Sequence, residues 1–79
     1  MRNSDVSEEL TRIRSHLRAF KTALRSQREA GKELDFIAQE LFREANTIGA
    51  KANNFKISRR VIKIKSQIEK IREQLQNVE

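Results

Sequence analysis

Apolar residues recur along this chain at alternating steps of four and three. Val6, Leu10, Ile13, Leu17, Phe20 and Leu24 form one such series, the repeat of a seam that packs against another helix. A second series comprises Leu34, Ile37, Leu41, Ala45, Ile48 and Ala52. A third, Ile57, Val61, Ile64, Ile68, Ile71, Leu75 and Val78, runs to the C-terminus. The pattern predicts helices over about 5–30, 32–52 and 57–78. Asp5 followed by Glu8 resembles a capping box, with Ser4 a competing N-cap. Gly31 is expected as the C′ residue of the first helix, and Gly49 as a mild interior cost or fray point in the second. Asn53 and Asn54 suit a turn, and Ser58 is expected to cap the third helix. The expected fold is all-α, one domain over residues 1–79. It consists of three antiparallel helices that form a small bundle, or an extended helical hairpin whose long outer seams pair with a second copy.

The polar positions are patterned as well. Beside the first seam, Arg14, Arg18, Lys21, Arg25 and Arg28 make a wholly basic stripe, about 21 Å long at 1.5 Å per residue, enough to track several phosphates. A solvated flank is the competing reading. On the middle helix, Phe36, Glu40, Arg43, Glu44, Thr47 and Lys51 share a second face. Two carboxylates, a guanidinium, a hydroxyl and an ammonium therefore stand on one surface. The third helix has two flanks. Lys65, Glu69, Arg72 and Gln76 form a mixed one, readable as an ion-pair ladder within the bundle. Lys56, Arg59, Lys63 and Lys70 form one without acids, a polyanion candidate.

Composition narrows the classes. In 79 residues a chain cannot enclose a deep cavity alone, and its stability margin is thin. With 37% apolar and 35% charged residues and no proline, long surface-rich helices fit better than a mixed fold. Phenylalanine is the sole aromatic type, which weakens the case for a base-stacking sheet. The absence of cysteine excludes a disulfide framework and a thiolate metal site and suits a reducing cytoplasm. No apolar run approaches the roughly 20 residues of a membrane span, and the N-terminus lacks a signal-type segment. A soluble cytoplasmic protein is expected.

The net charge of +6 is uneven. Residues 1–31 hold seven Lys/Arg against four Asp/Glu, residues 32–55 three against four, and residues 56–79 seven against three. Two basic arms flanking a slightly acidic centre favour polyanions, nucleic acid before anionic membrane.

The stretches LTRIRSHLRAF (10–20), GKELDFIAQELFREANTIGAKANN (31–54) and KSQIEKIREQLQNVE (65–79) resemble the C-terminal domain of the bacterial YicC/YloC-like family of stress-related endoribonucleases. The positions that carry the pattern are His16, Asp35, Gln39, Glu40, Arg43, Glu44, Asn46, Thr47, Lys51, Lys65, Glu69, Arg72, Glu73, Gln76 and Asn77. Phe42, Ala50, Lys56, Lys63 and Gln67 depart from it, the last three where the family tends to have acids. The resemblance implies RNA as partner, a ring-like homo-oligomer that clamps it, and cleavage of RNA phosphodiesters. Family members carry a longer N-terminal domain, so the chain is read as a fragment or a short stand-alone relative.

RNA cleavage by acid–base chemistry wants a histidine or tuned carboxylate and a cation for the developing phosphorane charge. Metal-assisted cleavage wants clustered carboxylates for a hard cation such as Mg²⁺ or Mn²⁺. The candidate catalytic residues are Glu40, Glu44 and His16. Glu40 and Glu44 are the candidate metal ligands, or act as base, with His16 or Glu9 completing the site across a helix interface. Candidate RNA contacts are Arg14, Arg18, Lys21, Arg25, Arg28, Arg43, Lys51, Lys65 and Arg72. A non-catalytic RNA clamp and a helical oligomerisation module are the alternative readings; the first needs only the basic stripes, the second only the seams.

Overall fold

The computed structural model describes residues 6–26 and 31–78, and within these the chain is three helices. Helix α1 spans Ser7–Arg25, α2 Gly31–Lys51 and α3 Phe55–Val78. Each apolar series lies along one helix, with Val6 at the N-cap of α1 and Ala52 just past the end of α2. The ends differ from the expected ones. Asp5, Ser4 and the 27–30 part of the first helix lie outside the described residues. Val6 occupies the N-cap of α1 and makes no side-chain cap bond, and Glu8 and Glu9 complement the helix dipole instead. At the other end Ser26 donates both its N–H (3.2 Å) and its Oγ–H (2.9 Å) to the Ala23 carbonyl, closing the last turn.

Gly31 opens α2 rather than terminating α1; glycine is tolerated at either helix end. Ser58 does not cap α3. The cap is Asn54, whose Oδ1 accepts from Lys56 N–H at 2.9 Å and Ile57 N–H at 3.2 Å. This satisfies two donors that a helix start leaves without partners.

Cross-helix contacts fix the topology. Glu9 meets Lys51, and Arg12 meets Glu44, so residue numbers rise on α1 as they fall on α2. Asp35 meets Arg72, Phe42 meets Lys65, and Gly49 meets Val61, so α3 again runs opposite to α2. Helix α2 is the central element. Helices α1 and α3 pack on either side of it and have no Cα pair within 8 Å of each other among the described residues. The result is a slab of 43 × 21 × 13 Å. Its radius of gyration, 13.7 Å, exceeds the ~11.6 Å of a compact chain of this length.

The core is correspondingly small: Ala23, Leu34, Ile37, Ala38, Ala45, Val61 and Ile68. Gly49 is part of how α3 gets close. A Cβ built there would lie 3.1 Å from Val61 Cγ1, so glycine's helix-propensity cost accompanies a close helix approach. The outer seams do not meet. Leu10, Leu17, Ile64 and Ile71 remain 40–50% exposed, flanking an open apolar groove of about 450 Å³ floored by Leu41, Ala45 and Ile48. Helix α1 is rotated so that a partly polar row, Glu9, Ile13, His16, Phe20 and Ala23, is better covered than its leucines. No described helix is long and apolar enough to cross a membrane.

Candidate metal centre

The rotation of α1 has a chemical cause. Glu9 and Glu44 are both buried, and a buried carboxylate is tolerated only with charged or hydrogen-bonding partners. Lys51 reaches from the last turn of α2 and donates to Glu9 Oε2 at 2.7 Å. Arg12, one turn after Glu9, donates from Nε to Glu44 Oε2 at 2.9 Å; its terminal nitrogens lie 3.5 Å from Glu9 Oε2 and 3.8 Å from Glu8. Arg12 thus bridges two buried carboxylates on facing helices. Glu9 Oε1 is buried with no hydrogen-bond partner.

One turn further along α1, His16 faces the same stretch of α2. Ligand atoms of His16, Glu40 and Glu44 all lie within 4.8 Å of one another. Glu44 is buried, and His16 and Glu40 are half-buried, so the cluster is enclosed on the Glu44 side and open on the other. Of the two residues expected across the interface from Glu40 and Glu44, His16 is the one that lies in this cluster, while Glu9 is linked to Glu44 indirectly through Arg12. Arg43, largely exposed, stands 3.9 Å from Glu40 at the rim. Thr47 donates to the Arg43 carbonyl at 3.1 Å and takes no part.

The cations fall into two groups. Lys51 is paired with Glu9, Lys65 lies over the Phe42 ring at 5.2 Å, and Arg72 donates to Asp35 Oδ1 at 3.0 Å with Glu69 at 3.7 Å. Each of the three is engaged by a partner on another helix. Arg14, Arg18, Lys21 and Arg25 are exposed and, among the described residues, carry no ion pair. Arg28 lies outside the described residues. Arg12 was not singled out by the sequence, although its i,i+3 and i,i+4 spacing from Glu9 and Glu8 was a readable signal.

The ion pairs set a pH dependence. The Lys51 hydrogen bond holds the Glu9 carboxyl below its ordinary value, against the opposing effect of burial. The Arg72 hydrogen bond does the same for Asp35, helped by Gln39. Folded values lie below unfolded ones, so this stability is complete above the ordinary carboxylate range and is lost as pH falls through the folded values, below about pH 4. Urea midpoints should be flat near neutrality and fall on acidification. Glu9→Gln should lower the neutral plateau and flatten the acid limb. An unchanged acid limb in that variant would remove Glu9 as a contributor.

The architecture and the cluster now stand beside known proteins. The family model described as "Endoribonuclease YicC-like, C-terminal" matches residues 1–79. The chain belongs to the YicC-like endoribonuclease family. Over 48 residues, 61% of the chain, it is 42% identical to a protein of Clostridioides difficile (strain 630) named "Probable endoribonuclease YicC". Over 47 residues, 60% of the chain, it is 43% identical to a protein of the same name from Haemophilus influenzae. The matched part is 16% of either relative's length. The described part of this YicC-like domain is thus a helical slab, with the His16–Glu40–Glu44 cluster between its first two helices.

Proposed function

We propose that this domain binds RNA and takes part in cleaving its phosphodiesters, with a divalent cation held by His16, Glu40 and Glu44. The observation that carries the reading is the convergence of one imidazole and two carboxylates, from two helices, within 4.8 Å in a chain of an endoribonuclease family. The donor set suits a metal. One nitrogen and two carboxylate oxygens favour Mn²⁺ over Mg²⁺, which prefers oxygen ligands alone. Three protein ligands also leave coordination positions open. Such a cation supplies Lewis-acid polarisation of a phosphodiester.

The chain's own residues do the positioning. Arg12 holds the Glu44 carboxylate through one oxygen at 2.9 Å and so fixes its place beside His16 and Glu40. Glu9 and Lys51 brace Arg12 from behind. Arg43 at the rim is placed to meet a phosphate oxygen. The exposed stripe Arg14, Arg18, Lys21 and Arg25 supplies the long-range attraction for a polyanion. The lack of cysteine is in keeping with a reducing cytoplasm.

The test is incubation of the chain with labelled structured RNA, with and without Mn²⁺ or Mg²⁺. Mn²⁺-dependent cleavage supports the reading. Retardation without cleavage reduces the domain to an RNA clamp. Neither signal at low salt overturns it.

A second reading concerns assembly and rests on the open groove between α1 and α3. We infer that a second copy covers it, because the exposed seams on its walls repeat at coiled-coil spacing. Leu17→Ala should then weaken self-association in sedimentation equilibrium without lowering the melting temperature of the dilute chain. A wild-type chain that sediments as a monomer at hundreds of micromolar contradicts this.

A further inference from the structure

Residues 45–68 contain no Asp or Glu and six Lys/Arg: Lys51, Lys56, Arg59, Arg60, Lys63 and Lys65. Lys51 and Lys65 face partners on the other helices. The remaining four follow i, i+3, i+4, i+7 spacing, so they share one face of α3. All four are exposed. Together they line a shallow concavity of about 300 Å³ at the start of the helix, and among the described residues none of them is ion-paired. The first turn of α3 holds no acid, so the positive end of the helix dipole adds to the same field.

An aromatic ring stands at the edge of this patch. Phe55, the first residue of α3, is 75% exposed, and the Arg59 guanidinium lies 5.7 Å from its ring centroid. An exposed phenylalanine under a guanidinium serves no apolar core. Cations along one line with an aromatic at the end are instead the two elements of a single-strand nucleic-acid surface: the cations follow the phosphates, and a base stacks on the ring.

We propose that Phe55, Lys56, Arg59, Arg60 and Lys63 form a docking surface for single-stranded RNA, with two or more phosphates along the concavity and one unpaired base on the Phe55–Arg59 pair. The inference rests on the reading of RNA as this domain's polymer and adds where, and in what form, it is held. A single strand is required because a duplex hides the base faces that Phe55 would stack on.

The test is fluorescence anisotropy of a labelled U10 oligoribonucleotide with the 79-residue chain across a KCl series. Lys56→Gln with Lys63→Gln should reduce the log–log salt slope by about 1.4, since each single-strand phosphate contact contributes about 0.7. Phe55→Ala should weaken U10 binding by about fivefold or more and leave binding of an abasic decamer of equal charge unchanged. Exposed side chains are altered throughout, and unchanged circular dichroism confirms the fold.

If U10 binds but the α3 variants match wild type, this surface is overturned and the RNA reading stands. If wild type binds no U10 even at low salt, this surface is overturned, and the RNA reading falls with it only where structured RNA is not bound either. Equal losses for U10 and the abasic decamer in Phe55→Ala remove the stacking site. Retention on phosphatidylserine vesicles without any U10 binding assigns the patch to membranes and overturns the proposal.

Discussion

Replacing Glu40 and Glu44 together by glutamine is expected to lower Mn²⁺-dependent RNA cleavage by about 100-fold or more, the effect of losing a group that acts on the reacting phosphate. Glutamine keeps the volume of both side chains, and its carbonyl oxygen can still accept from Arg12. The buried end of the cluster is therefore preserved while its charge is lost. Retained helicity together with lost cleavage assigns the effect to chemistry. Cleavage at the wild-type rate would place the reacting centre elsewhere. Binding of RNA to the basic surfaces should persist in this variant, because neither carboxylate pairs with Arg14, Arg18, Lys21 or Arg25 of α1 or with the exposed cations of α3.

The second large effect is on stability. Ile37 is 6% exposed on α2, the helix that both neighbours pack against. Ile37→Ala should cost about 2–5 kcal/mol through lost transfer energy and the cavity left behind. A chain of this length has only about 4–12 kcal/mol in total, so the melting temperature should fall by more than about 10 °C. Leu24→Ala is the comparison. Leu24 belongs to the same kind of apolar series but is 59% exposed, and its truncation should shift the transition by only a few degrees, as a surface change does. Equal losses in the two variants, measured at concentrations where the chain is monomeric, would mean that Leu24 is covered within its own chain.

That contrast shows what the sequence could and could not disclose. The three helices were legible because steps of four and three have one structural meaning, and Leu34, Ile37, Ala45, Val61 and Ile68 are buried as their places in those series require. The rotation of α1 was not legible. The apolar series predicts leucines toward α2, yet α1 turns Glu9 and His16 inward. The reason is on the other helix, where Lys51, Glu44 and Glu40 stand ready to receive them.

The burial of Glu44 follows from the same turn. On α2 alone it belongs to a polar face indistinguishable from solvated surface. Arg12 escaped notice because it lies off both the apolar seam and the basic stripe, and its importance comes from bridging two carboxylates 32 and 3 residues away in sequence. Helix ends are the least legible feature of the sequence. Asn54 and Ser58 are equally good caps on paper, and only the position of the Asn54 side chain over the Lys56 and Ile57 amides decides between them.

The function proposed for this domain turns on a cation held by one histidine and two glutamates. Pulsed electron paramagnetic resonance of Mn²⁺ added to the chain tests it most directly, since the ion reports a nitrogen ligand through its ¹⁴N modulation. One bound Mn²⁺ with ¹⁴N modulation, lost in His16→Gln, is the predicted result. Mn²⁺ that stays free, or binds without nitrogen coupling, would rule out this site.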